Sequence, residues 1–278
     1  MNSYGVVGNP IQHSLSPLIH HLFAEQTNQT LCYQRILAPR NRLEYVLNQF
    51  QAQGGKGLNI TLPFKQQAFQ LVDRLSERAC FTSSINTIRF NEDGSRFGDN
   101  TDGVGLIRDL ALHHDLSLTN KRILLLGAGG AVRGVLHAIL QEQPEEVVIV
   151  NRTESKAIEL VKTVTVCSRV RICALHALKE LRFDVVINGT SASLMGDVIR
   201  LPKTCLQNAF CYEMVYGKGE TPFLRAAVDA GAAYCSDGLG MLIEQAAESF
   251  FIWHGIKPDT LPVYCRLFEK LNPSLYSG

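Results

Sequence analysis

Net charge is almost missing from this chain: 27 Lys and Arg stand against 26 Asp and Glu, a balance of +1 at pH 7. Nothing so balanced attracts nucleic acid or an anionic membrane globally, so any anion binding must be local. Clustered metal ligands are missing too. The eight cysteines include no C-x-x-C pair, and His20-His21 and His113-His114 are adjacent pairs that point to different sides of a helix. That pattern excludes a zinc site, and no metal is expected. The opening residues, M-N-S-Y-G-V-V-G-N-P, lack a basic segment followed by an apolar one, so no signal peptide is expected. No apolar run reaches transmembrane length, and neither an internal repeat nor a low-complexity stretch occurs. Without a secretory signal the cysteines read as small buried hydrophobes in a reducing cytoplasm. What is present is an ordinary soluble composition, 46% hydrophobic and 19% charged, in 278 residues, enough for two domains.

The stretch that organises the chain is Ile123–Ala131, I-L-L-L-G-A-G-G-A. Apolar β-formers run into Gly127, Ala128, Gly129 and Gly130, and a helical pattern follows from Ala131 to about Leu140. A buried strand, a glycine turn and a helix form the phosphate-binding corner of a dinucleotide fold, where backbone and helix N–H groups approach a pyrophosphate. The third glycine of G-x-G-x-x-G is absent, with Val132 in its place, so a plain strand-to-helix turn stays open. A second buried strand, Glu146–Val150, ends in Asn151-Arg152-Thr153. The acid that would accept hydrogen bonds from an NAD ribose is missing there. Arg152 suits a 2′-phosphate, and Lys156 adds a second positive charge, so the cofactor reading is NADP. The alternative is that Arg152 simply begins a solvated helix.

Earlier in the chain, Tyr4–Val7 is a strand, and Ser16-Pro17 reads as a helix start with Ser16 as its N-cap. Capping does not explain Ser14, and the two hydroxyls either hold a carboxylate at the helix N-terminus or cap it. Leu31–Ala38 reads as a strand and Arg40–Gln51 as an amphipathic helix ended by Gly54-Gly55-Lys56-Gly57. Leu58–Leu62 alternates as a strand, and Asn59, Thr61 and Lys65 converge at its C-terminal end, where α/β folds place ligands; Lys65 as a solvated helix residue is the plain alternative. Ser83–Phe90, containing Asn86, pairs through the Asn91–Gly94 turn with Arg96–Asn100. Asp102 reads as a helix cap or turn residue before a helix over Val104–His113. A domain boundary falls near Gly103. Beyond the Arg152 helix, strands are expected at Val170–Ala174, Asp184–Ile187, Phe210–Val215 and Ala232–Cys235. Asn188-Gly189-Thr190-Ser191 is placed beside a nicotinamide. Thr221-Pro222 starts a helix, Met241–Trp253 is a long apolar helix, and Gln245 inside it faces either a cleft or solvent. Asp259–Leu271 is a final amphipathic helix.

These residues together resemble the shikimate dehydrogenase family over essentially the whole chain. The motifs, in order, are G-N-P-I-x-H-S-x-S-P, N-I-T-L-P-F-K, I-N-T, G-D-N-T-D-G, G-A-G-G-A, N-R-T, Y-G-K-G-E-T-P-F and D-G-L-G-M-L. The resemblance implies two α/β domains with a cleft between them. An N-terminal substrate domain (1–102 and 239–278, the C-terminal helices returning to it) would accompany a Rossmann-like NADP-binding domain (103–238). It implies NADPH-dependent reduction of 3-dehydroshikimate to shikimate in aromatic amino acid biosynthesis. Ser14 and Ser16 would hold the carboxylate. Asn59, Thr61, Asn86, Asp102 and Gln245 would meet the ring hydroxyls, with Tyr216 near the substrate. Lys65 and Asp102 would be the catalytic pair. Gly127, Ala128, Gly129, Gly130 and Ala131 would cradle the pyrophosphate, and Asn151, Arg152, Thr153 and Lys156 the 2′-phosphorylated adenosine. Thr190, Ser191, Met214, Gly238 and Met241 would border the nicotinamide half.

Three positions depart from the family pattern: Glu213 in place of Asp, Ala192-Ser193-Leu194 in place of a glycine-methionine pair, and Val132 in place of a small residue. The expected partner is the small-molecule substrate, with no nucleic acid and no membrane, and the chain as a monomer or homodimer. A quinate/shikimate dehydrogenase with relaxed substrate choice and NAD use is the alternative enzyme, against which Arg152 argues. A non-catalytic NADPH sensor is the alternative of another class, against which Lys65 and Asp102 argue.

Overall fold

The computed structural model describes residues 2–163, 167–193, 199–217 and 219–273. The chain divides into two compact units, Met1–Leu106 with Leu242–Cys265, and Ile107–Met241 with Arg266–Gly278.

The first unit runs β1 (Asn2–Gly8), α1 (Ser16–Thr27), β2 (Leu31–Leu37), α2 (Leu43–Ala52), β3 (Gly55–Ile60) and α3 (Lys65–Phe69). It continues with β4 (Arg74–Leu75), α4 (Glu77–Thr82), β5 (Thr87–Phe90) and β6 (Arg96–Asp99). The sheet order is β2-β1-β3-β5-β6-β4. β1 pairs parallel with β2 and β3, whereas β5 is antiparallel to β3 and β6. The hairpin β5–β6 closes on the expected turn, with Gly94 at φ +83 donating to the Asn91 carbonyl. Leu43, Leu47 and Phe50 of α2 are buried in one cluster with Leu58, Ile60 and Ile88, which fixes one face of β3.

Two of the boundaries that differ from expectation have a clear cause. Gly55, Lys56 and Gly57 belong to β3 and do not terminate the preceding helix. A β-carbon on Gly55 would lie 2.2 Å from the Phe50 ring, and one on Gly57 would lie 2.3 Å from Trp253 Nε1. These glycines therefore exist to let two rings press on the strand. The second difference is at Ser83–Phe90, where only Thr87–Phe90 is strand, because α4 runs to Thr82 and Ser83 turns out of it at φ +46.

α5 (Asp102–His114) carries the chain into the second unit. There follow β7 (Arg122–Leu126), α6 (Gly130–Gln141), β8 (Glu146–Val150), α7 (Glu154–Val161), β9 (Val170–Ile172) and β10 (Val185–Asn188). α8 (Lys203–Leu206), β11 (Phe210–Glu213), α9 (Pro222–Ala230) and β12 (Tyr234–Ser236) complete its sheet. All neighbouring strands are parallel, in the order β12-β11-β10-β7-β8-β9. Counted from β7 as first, the strands lie 3-2-1-4-5-6 from one edge, the doubly wound order, which reverses between β7 and β10. Parallel sheets are covered on both faces, which is why Leu124–Leu126 and Val185–Ile187 are unbroken buried apolar runs. Thr221 caps α9 as expected, accepting from Leu224 N–H at 3.2 Å. α10 (Leu239–His254) and α11 (Leu261–Leu271) follow. Among the described residues no helix is long and apolar enough to cross a membrane, and no group of three His, Cys, Asp or Glu converges as a metal site.

Candidate active site

β3, α3, the residue before β5, the N-terminus of α5 and one face of α10 bring polar side chains together within the first unit. Lys65 is the first residue of α3, and its Nζ lies 2.5 Å from Asp102 Oδ2. Asp102 opens α5, where the helix dipole favours a carboxylate. Only 15% of the Lys65 side chain and 6% of the Asp102 side chain are exposed, so the pair is held largely out of water. An ammonium has three donors, and two of those on Lys65 remain for another oxygen.

Asn86 is the hub. Its Nδ2 lies 2.8 Å from Asp102 Oδ1, 2.9 Å from Thr101 Oγ1 and 3.2 Å from Gln245 Oε1. Two N–H groups face three acceptors, so one acceptor is always left to take a hydrogen bond from elsewhere. Gln245, at the longest of the three distances, is the natural one, and its Nε2 is engaged with the Leu242 carbonyl at 2.8 Å. Asn86 Oδ1 accepts from the Thr101 backbone N–H at 2.9 Å, which locks the amide orientation.

Asn59 is buried beside this hub. Its Nδ2 is within 3.2 Å of the Asn86 carbonyl and Thr87 Oγ1 and 3.0 Å of Ser249 Oγ, and its Oδ1 accepts from the Tyr33 hydroxyl at 2.7 Å. Ser16 is not the N-cap of α1: Leu15 holds that position and its own side chain makes no capping hydrogen bond. Instead Ser14 Oγ accepts from Ser16 N–H at 3.3 Å and donates to Ser16 Oγ at 3.2 Å. Ser14 is anchored from behind, because Arg35 Nε and Nη2 donate to its carbonyl at 3.0 and 2.7 Å. Thr61 lies just past the end of β3, its N–H donating to the Val7 carbonyl at 2.9 Å. Thr101, Ser249, Tyr33 and Arg35 escaped the sequence reading. A signal existed for Ser249, which sits one helical turn beyond Gln245 on the same face.

The second unit holds the remaining candidates. Gly127 adopts φ +107, which favours glycine, and a β-carbon there would lie 3.1 Å from Thr190 Cγ2. The glycine turn after β7 and the loop after β10 therefore meet at the point where the strand order reverses. Gly129 is the N-cap of α6 with no side-chain cap, and a β-carbon on Gly129 or Gly130 would meet nothing within 4 Å. Ala128 is buried and Ala131 half-buried in the first turn of the helix. Free helix N–H groups beside open space fit a pyrophosphate. Val132, the bulky departure, is buried against Gly189, where a β-carbon would come 2.5 Å from Val132 Cγ2. The volume missing at one position is filled from the other.

At the end of β8, Asn151 Nδ2 donates to the Thr153 carbonyl at 2.7 Å and shapes the turn that exposes Arg152. Lys156 is likewise exposed, and neither cation forms an ion pair among the described residues.

The departure Glu213 is buried at the end of β11, and burial raises its carboxyl above the usual range. It accepts from Ser193 Oγ at 2.5 Å, Asn188 Nδ2 at 3.1 Å and Thr221 Oγ1 at 3.1 Å, tying the loop after β10 to α9. Thr190 donates through N–H and Oγ1 to Asn188 Oδ1 at 3.1 and 2.8 Å, and Ser191 follows it, exposed. Gly238 packs on the Met214 carbonyl, which a β-carbon would approach to 2.4 Å. Met241 is buried, and Tyr216 lies half-buried after β11. Leu194 and Lys218 lie outside the described residues.

Residues 6–88 match the family described as the shikimate dehydrogenase substrate binding domain. Residues 109–199 match shikimate / quinate 5-dehydrogenase, and 238–264 the shikimate 5′-dehydrogenase C-terminal domain. The chain is 48% identical over 272 residues to a shikimate dehydrogenase (NADP(+)) of Nitrosomonas europaea, covering 98% of this chain and 99% of that one. It is 52% identical to the enzyme of the same name from Alkalilimnicola ehrlichii over 95% of this chain and 97% of that one. Among solved structures, an Ael1 enzyme from Pseudomonas putida superposes with TM-score 0.90 at 48% identity, covering 96% of this chain and 98% of that one. Shikimate 5-dehydrogenase from Thermus thermophilus, in complex with NADP(H) and shikimate, superposes with TM-score 0.84 at 30% identity, covering 95% and 97%. A Lys–Asp pair wired to amides in one unit, a doubly wound nucleotide fold in the other, and these identities over nearly the full length place the chain in the shikimate dehydrogenase family.

Proposed function

We propose that this protein catalyses the reversible NADPH-dependent reduction of 3-dehydroshikimate to shikimate, the first unit binding the substrate and the second the cofactor. The observation that carries the reading is the 2.5 Å Lys65–Asp102 pair, hydrogen-bonded through Asn86 to Gln245. NADPH, when bound, supplies the hydride. Everything else falls to the chain. Lys65 Nζ stabilises the oxygen that becomes an alkoxide and delivers a proton to it, and Asp102 orients the ammonium and fixes the reacting hydroxyl. Gln245, Asn86, Asn59 and Thr61 meet the ring hydroxyls, Ser14 and Ser16 receive the carboxylate, and Tyr216 adds a contact near the substrate.

On the cofactor side, the residues present fit a dinucleotide. The glycine turn and the uncapped start of α6 receive the pyrophosphate, while Asn151, Arg152, Thr153 and Lys156 receive the 2′-phosphorylated adenosine. Thr190, Ser191, Met214, Gly238 and Met241 border the nicotinamide. A reducing, cytoplasmic setting belongs to the same reading, although of the seven cysteines whose side chains are described only Cys205 and Cys211 are buried as expected, while Cys32, Cys80 and Cys265 are exposed. The test is absorbance at the nicotinamide band with shikimate or quinate paired with NADP or NAD. Turnover confined largely to shikimate with NADP is expected. Comparable rates with quinate and NAD would replace this reading by the relaxed enzyme, and no turnover with any pair would leave a binding protein.

A further inference from the structure

We propose that Arg35 is the electrostatic anchor of the carboxylate end of the substrate site, a specificity-determining residue that favours an acid over its neutral analogue. The inference rests on the reading above that Ser14 and Ser16 receive the carboxylate. Two hydroxyls carry no formal charge, and they can donate to the oxygen of a carboxamide much as to that of a carboxylate. Charge selection has to come from a neighbour.

The neighbour is on β2. Arg35 pairs with Val6 of β1, and it stands two residues from Tyr33, so both side chains rise from the same face of the sheet. Tyr33 donates to Asn59, which makes that face the one carrying a proposed substrate group. Nε and Nη2 of Arg35 both grip the Ser14 carbonyl, at 3.0 and 2.7 Å, so the guanidinium is held in one orientation against the residue that carries the Ser14 hydroxyl. A guanidinium has five N–H donors, and this grip uses two.

The charge is also uncompensated. Lys65 is paired with Asp102, and Arg78 is shared between Asp99 and Glu248, at 2.7 and 3.0 Å. Arg35 contacts a carbonyl and forms no ion pair with a carboxylate of the described residues. Its field adds to that of the N-terminus of α1, which is also positive.

Arg35 has two separable effects: it pins the Ser14 backbone, and it places a positive charge. Only the second distinguishes an acid from its amide. The experiment is steady-state kinetics with shikimate and with its carboxamide analogue at saturating NADP, at low and high salt. The proteins are wild type, Arg35→Met, Arg35→Lys and Ser14→Ala. Losing the one charge held against Ser14 predicts a rise of about 3- to 10-fold in KM for shikimate in Arg35→Met, falling on KM rather than kcat. KM for the carboxamide stays the same, Arg35→Lys restores most of the affinity, and high salt narrows the gap. Equal losses for acid and amide overturn the proposal and leave Arg35 as a pin for Ser14, and no loss for either overturns it as well. Ser14→Ala separates the two claims. If it weakens shikimate while Arg35→Met spares the acid preference, the proposal fails and the carboxylate reading stands. If neither variant changes either substrate, the carboxylate reading fails with it.

Discussion

Arg152 shows how much a single side chain can decide. It stands exposed at the end of β8, on a turn shaped by Asn151, with no carboxylate paired to it among the described residues. NADPH differs from NADH by one 2′-phosphate, so discrimination has to come from groups that touch it. A hydrogen bond to a charged group contributes about 1.5–3 kcal/mol, and about 1.4 kcal/mol is a factor of ten. Arg152→Ala is therefore expected to raise KM for NADPH by one to two decades and to leave KM for NADH nearly unchanged. Equal losses for both cofactors would assign Arg152 to adenine stacking or to the fold. Lys156→Ala acts in the same direction and less, because an ammonium lacks the bidentate fork. The polar hub of the first unit has the opposite character, since Asn86 is hydrogen-bonded to both Asn59 and Thr101.

Elements are fixed by packing as much as by their own residues, and β3 is the case in point. Four residues with three glycines, Gly54–Gly57, look like a helix terminator, yet three of the four are strand. The information that decides it lies about 200 residues away, in Trp253, whose Nε1 donates to the Ile88 carbonyl at 3.0 Å and whose ring occupies the space above Gly57. Gly57→Ala is expected to destabilise the fold by about 1–3 kcal/mol, the usual range for overpacking, measured as a shifted urea midpoint with unchanged slope. If Gly57→Ala unfolds at the wild-type midpoint, Trp253 is not the reason for the glycine.

The same logic separates what was legible in the sequence from what was not. β7, β8 and β10 are continuous apolar runs, and the glycine turn with its following helix could be read directly. Lys65, Asn59 and Thr61 were legible as a group because they end one strand. The roles of Ser16 and Asn86 were less so. Ser16 loses the cap to a backbone geometry centred on Leu15, and Asn86 sits before β5 because Ser83, the left-handed cap of the six-residue α4, takes the start of the expected strand. Short elements such as α4 and α8 leave too few residues for any periodicity to show.

For the whole molecule, acid sensitivity follows from buried histidines in both units. Burial holds His20 in the first unit down to about 3 and His114 in the second down to about 4, and it lowers His254 as well. The unfolded chain takes up these protons at the ordinary value near 6.5 while the folded chain refuses them. Stability therefore falls as pH drops below 6.5, His114 contributing down to about 4 and His20 down to about 3. His20, stacked on Tyr33 with ring centroids 4.4 Å apart, is a good place to remove one such group. His20→Phe should flatten, without abolishing, the decline of the urea midpoint between pH 6 and 4, and an unchanged decline would show that His20 does not contribute.

The proposed mechanism rests on proton delivery by Lys65, and one comparison tests that most directly. It is kcat for NADP reduction by shikimate in wild type and Lys65→Met, followed at the nicotinamide band, with shikimate affinity measured calorimetrically in both. A positioned acid–base group contributes about 10²–10⁴ in rate. Lys65→Met is expected to lose kcat on that order while binding shikimate within a few-fold of wild type. Turnover near the wild-type rate in Lys65→Met would contradict Lys65 as the proton donor.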